Sequence, residues 1–99
     1  MKAKSLLRHK LVTEEGDIEE HVVWAVPKSL LFPEGVKYRL AFIPRSTRMA
    51  VVLFDNHHPK GHHRHWEGHE EPYEFVNLHQ LKNDFEREVA RWKKLRRPS

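Results

Sequence analysis

A chain of 99 residues has room for one domain and one hydrophobic core, and 38% hydrophobic with 32% charged residues is ordinary for a compact soluble protein. The absence of cysteine excludes disulfides, thiolate metal ligands and cysteine nucleophiles. A net charge of +4, a pI of about 9.6 and 9 histidines that gain charge near neutrality point to an anionic partner, nucleic acid before membrane.

Along the N-terminus, Arg8, His9 and Lys10 interrupt the apolar residues too early for a signal peptide. No segment approaches the ~20 apolar residues needed to span a bilayer. The expectation is one domain over residues 1–99, cytoplasmic and without membrane association.

Residues 2–12 alternate weakly and read as a first strand, with Ser5, Leu7, His9 and Leu11 on one side. Glu14, Glu15, Gly16 and Asp17 signal a turn. Residues 18–26 alternate better, with Ile18, Glu20, Val22 and Trp24 sharing a face, and Pro27 ends that strand because it lacks an N–H for the ladder. The clearest strand covers 36–43, where Val36, Tyr38, Leu40 and Phe42 point one way and Lys37 and Arg39 the other. Residues 49–55 return as an apolar run, read as a central strand. The connections are too short for helical crossovers, so these strands form an antiparallel meander.

Residues 56–71 break the pattern with many histidines, Lys60, Arg64 and almost nothing apolar except Trp66; a short strand can follow over 72–76. Residues 78–95 are a helix, N-capped by Asn77, with Gln80 in the capping-box position and Val76 placed to staple onto Leu81. Its apolar stripe is Leu78, Leu81, Phe85, Val89, Trp92 and Leu95, and Lys93, Lys94, Arg96 and Arg97 make a basic tail that complements the helix dipole. The fold class is therefore α+β: an antiparallel four- to five-stranded β-meander with a C-terminal α-helix packed on one face. Trp24, Trp66 and Trp92 are read as core or helix-packing residues, with Trp66 also able to stack on a base.

The chemistry concentrates between Asp55 and Phe75. Metal-free cleavage of RNA needs a base for the 2′-hydroxyl, an acid for the leaving oxygen, and cations for the charge that develops on phosphate. Histidines supply the first two near neutral pH, and Lys60 and Arg64 the third. In an extended His63-Arg64-His65, the two histidines face one side and Arg64 the other. Tyr73 offers a proton or a stacking surface, and Lys37 with Arg39 a phosphate-binding patch. Asp55 and Asn56 either orient a histidine or begin a turn. Against this stands the plain alternative of a solvated, histidine-rich loop. Metal ligation by His63 and His65 with His57, His58, His69 or Glu70 is a further alternative, without an HExxH spacing or soft ligands to support it.

The run KYRLAF from Lys37 to Phe42, then Asp55-Asn56, KGHHRH from Lys60 to His65, and EEPYEF from Glu70 to Phe75 before a C-terminal helix resembles the TumE-type toxins of bacterial and archaeal toxin–antitoxin pairs. The resemblance covers nearly the whole chain. It implies a cytoplasmic toxin, presumed in that family to be a ribonuclease, neutralised by a helix-turn-helix antitoxin. The matching positions are Lys60, Gly61, His63, Arg64 and His65 with Glu71, Pro72 and Tyr73; His62 departs from the aspartate of some members.

The reading adopted is a metal-independent RNA endonuclease toxin without a cofactor. His63 and His65 act as acid and base, Lys60 and Arg64 hold phosphate, and Tyr73 positions a base or a proton. Lys37, Arg39, His62 and Glu71 contact substrate. Its partners are RNA and the antitoxin, with self-association left open. The alternatives are a non-catalytic nucleic-acid-binding or regulatory protein and a metal-dependent nuclease.

Overall fold

The computed structural model describes residues 3–57 and 59–96; Lys2, His58 and Arg97, which entered the sequence reading, lie outside the described residues. Six strands, β1 (Lys4–Val12), β2 (Ile18–Ala25), β3 (Val36–Ile43), β4 (Val52–Asp55), β5 (His63–Trp66) and β6 (His69–Pro72), form one antiparallel sheet in chain order, followed by the helix α1 (Leu78–Arg96). The meander and the single C-terminal helix agree with the expectation from alternation and capping. The sheet is wider than expected because the histidine-rich segment itself folds into β5 and β6. Its turn, Glu67-Gly68, has φ of 48° and 88°, the two positive values of a type I′ hairpin, whose twist matches that of the flanking strands. The run at 49–55 is strand only from Val52.

Alternation sorts the sheet into two faces. Val23, Tyr38, Leu40, Phe42, Val52 and Phe54 point to α1 and close the core with Leu81, Phe85, Val89 and Trp92. Phe85 is fully buried, edge-on to Phe54 at 6.0 Å and to His21 at 5.2 Å. Asn77 caps the helix as expected, its Oδ1 accepting from the Gln80 N–H at 2.8 Å. The Gln80 side chain instead donates to Asp84, and Val76 is 64% exposed, so the expected staple onto Leu81 is not closed. Leu95, in the last turn of α1, also leaves the predicted stripe at 55% exposure.

Beyond β4, the buried Asn56 continues the pairing with its side chain. It accepts from the Tyr38 N–H at 2.9 Å and donates to the Val36 carbonyl at 2.8 Å. Asn56→Ala would orphan both backbone groups, each worth about 1–3 kcal/mol when left unpaired, and should lower the denaturation midpoint accordingly.

Glu67, carried by the β5–β6 turn, latches the far end of α1. Its carboxylate accepts from Trp92 Nε1 at 3.0 Å and, bidentately, from Arg96 Nε and Nη2 at 2.9 Å each. The Arg96 hydrogen bond holds the Glu67 carboxyl below its ordinary value of 4.5. A carboxylate depressed in the folded state contributes stability above its unfolded value and loses it as pH falls through the folded one. Acid unfolding followed below pH 4.5 should therefore show a steeper stability loss for the native chain than for Glu67→Gln.

Candidate functional site

The face of the sheet away from α1 carries the site. Strand register places Arg8, Val22, Arg39, Asp55, His63 and Pro72 in one row across it. A second row runs Lys10, Glu20, Ala41, Leu53, His65 and Glu70, and Trp24 pairs with Lys37 beside the first. Residues far apart in the chain thus become neighbours because side chains in paired strands line up across the ladder.

Where the rows meet the histidine strand, His63 is 5% exposed. Its Nδ1 lies 2.7 Å from the Gly61 carbonyl, and its Nε2 lies 2.7 Å from Asp55 Oδ1. Gly61, at φ 73°, takes a left-handed conformation that a residue with a side chain adopts only under strain, just before the strand. The same Asp55 oxygen accepts from the His57 N–H at 3.2 Å. His65 is half-buried, with its ring 4.9 Å from that of His63 and inclined at 68°. One ligand atom each from Asp55, His63 and His65 lies within 4.8 Å of the others. Both nitrogens of His63 face oxygen acceptors, and a neutral imidazole can donate to only one. A second ring proton, or a cation shared with Asp55, completes the arrangement.

Beside this cluster lies an open cleft of about 420 Å³ lined by Trp24, Lys37, Arg39, Asp55 and His57, among others. Lys37 and Arg39 are exposed there, and Trp24 is half-buried on the same side, not in the core where composition alone would put it. Lys60 borders the other flank and pairs with Glu70 at 2.8 Å, which holds the Glu70 carboxyl below its ordinary value.

The structure divides the remaining sequence-selected residues between two other places. Arg64 points to the helix side, as alternation requires, with Nε 2.5 Å from Glu71 Oε1 and Nη1 3.9 Å from Glu88. Tyr73 donates to Asp84 of α1 at 2.5 Å and packs edge-on against Phe54. Burial and the Asp84 carboxylate hold its phenol well above the usual tyrosine range. His62 sits between Glu34, 2.9 Å from Nε2, and the Tyr38 hydroxyl, 2.8 Å from Nδ1, with Phe75 stacked on it at 4.7 Å. The carboxylate only accepts, so in the neutral ring Nε2 carries the proton and Nδ1 accepts from Tyr38.

Trp24, which lines the cleft, was read from the sequence as a core or helix-packing residue; its only signal for the site was its place on one alternating face, which acquires meaning once the register is known.

A six-stranded meander backed by one helix, with an Asp–His–His cluster and a basic cleft on the face away from that helix, defines a small α+β protein. The family model described as "Toxin TumE" matches residues 2–93, and the chain belongs to that family. It is thus the toxin component of a toxin–antitoxin system, with a cognate antitoxin as partner. No curated protein and no solved structure gives a match. Among the described residues, no helix is long and apolar enough to cross a membrane.

Proposed function

We propose that the toxin is an RNA endonuclease acting in the cytoplasm through the uncovered face of its sheet. The observation that carries this reading is the Asp55–His63–His65 cluster set beside the cleft of Trp24, Lys37 and Arg39. Proton-transfer groups, phosphate-binding cations and a base-stacking surface thereby share one face.

In this mechanism His65, the more open imidazole, removes the 2′-hydroxyl proton. The 2′-oxygen attacks phosphorus and the P–O5′ bond breaks. The leaving 5′-oxygen takes the proton that His63 and Asp55 share, which yields a 2′,3′-cyclic phosphate and a free 5′-hydroxyl. Arg39 and Lys37 stabilise the phosphorane charge and hold the adjacent phosphate, and Trp24 stacks on a neighbouring base. Lys60 supplements the field from the other flank. Arg64 with Glu71, Tyr73 with Asp84, and His62 with Glu34 and Tyr38 brace β5, β6 and the segment leading to α1 from behind.

The second reading, a metal-dependent nuclease, is favoured by the same cluster. A histidine ligand commonly donates its other ring N–H to a backbone carbonyl, as His63 Nδ1 can to Gly61. Asp55, His63 and His65 would hold the ion, which would activate water and polarise phosphate. The helix-turn-helix antitoxin of the family is proposed to neutralise the toxin by covering this basic face with acidic residues.

Purified protein incubated with single-stranded RNA, with and without EDTA, tests the proposal. Cyclic-phosphate ends formed in both conditions support the metal-free mechanism. Cleavage abolished by EDTA and restored by a divalent ion selects the second reading. Intact RNA in every condition overturns the nuclease assignment.

A further inference from the structure

The helix side of the sheet holds a second cluster of ligating groups, which the nuclease reading does not use. Glu19 and His21 are two apart on β2 and so share a face, and Glu86 of α1 descends onto them one residue after Phe85. His21 Nε2 lies 3.1 Å from Glu19 Oε1 and 3.6 Å from Glu86 Oε1, and one ligand atom from each residue falls within 4.8 Å of the others. We propose that Glu19, His21 and Glu86, completed by His9, bind a divalent transition-metal ion of the zinc class that clamps α1 to the β1–β2 hairpin.

Three further observations support a built site. The His21 ring is 5% exposed and held edge-on against Phe85 at 5.2 Å, so its direction is set before any ion arrives. Directly across the ladder, β1 presents His9, its ring 5.9 Å from that of His21 and inclined at 73°. A second imidazole therefore stands within a side-chain rotation of the cluster. Finally, two carboxylates converge on one imidazole. Their oxygens and the imidazole nitrogen lie within 4.8 Å of one another, a crowding of negative charge that a divalent cation relieves. Lys82 and Lys93 flank the acids and oppose a cation, though more weakly than direct ligation favours it.

The donor set is imidazole nitrogen and carboxylate oxygen without sulfur, which suits zinc, cobalt or nickel and disfavours copper(I). The site lies across the sheet from Asp55, His63 and His65, so its role is structural. The β1–β2 hairpin lies at one edge of the sheet, and every residue of β1 is exposed. A metal held by β1, β2 and α1 would tie that hairpin to the body of the fold.

The test uses the whole chain, stripped with EDTA, in a His63→Ala/His65→Ala background so that the opposite cluster loses both of its imidazoles. Titration with zinc by calorimetry and with cobalt by visible absorption should show one bound equivalent, with cobalt ligand-field bands and a raised melting temperature. Glu86→Gln, a near-isosteric change at a partly exposed side chain, should weaken zinc binding roughly tenfold or more and abolish the melting shift. His21→Gln should do the same. Zinc affinity unchanged in Glu86→Gln, or no saturable binding in the parent, overturns the proposal.

Discussion

Replacing His65 with alanine is expected to reduce RNA cleavage by ~10²–10⁴-fold, the range over which a positioned acid or base accelerates proton transfer. The half-buried imidazole has room to change without disturbing the core, so circular dichroism and the melting temperature should stay near those of the parent. His63→Ala should produce a comparable loss of activity together with some loss of stability. It removes a buried ring bonded on both sides and leaves Asp55 facing an empty space. The double variant should be little worse than either single one, because a broken proton relay is broken only once. Single-turnover cleavage of a labelled RNA measures all three. A double variant that still cleaves RNA and still arrests growth would move the catalytic centre elsewhere, with Arg39 as the next candidate. Arg39→Ala should weaken RNA binding and flatten its salt dependence, since fewer phosphates would be neutralised.

The largest effect on stability is expected at Phe85. Its ring is fully buried between the sheet and α1, against Phe54 and His21. Phe85→Ala removes that contact area and leaves a cavity which the flanking aromatic rings can fill only in part, at a cost of about 3–5 kcal/mol. For a domain of 99 residues this is a large fraction of the usual folding stability of about 5–15 kcal/mol. The variant should unfold at a much lower urea concentration, with an unchanged slope if the transition stays two-state. A shift below about 1 kcal/mol would mean that α1 is not anchored there. Activity should follow the folded fraction, which separates this loss from the His65→Ala loss.

How far the fold was legible depended on which interactions specify each element. In β3 the alternation of Val36, Tyr38, Leu40 and Phe42 with Lys37 and Arg39 matches a sheet with one face on a core, and the strand lies where that pattern places it. The helix followed from its cap and its stripe, of which Leu95 in the last turn is exposed. The segment from His63 to Pro72 stood out by its side chains but was not legible as structure. Its side chains are nearly all polar, so hydrophobic periodicity is silent there. Backbone pairing with β4 and the Glu67-Gly68 turn make it a hairpin, and the only cue in the residues was a short Glu-Gly loop between two polar runs.

Composition, capping and local alternation, properties that each residue shares with its near neighbours, were enough to define an α+β meander and to single out its histidine-rich segment, while the resemblance of KYRLAF, KGHHRH and EEPYEF pointed to the family to which the chain belongs. The partners of the reactive groups were another matter. That Asp55 meets His63, that Arg39 and Trp24 border them, and that Arg64 and Tyr73 face the helix instead depends on ladder register between strands up to dozens of residues apart. A shift of one residue in any pairing would exchange the two faces. In β2, β3 and β4 register is set by burying an apolar face against α1, a long-range condition that no local stretch of sequence contains.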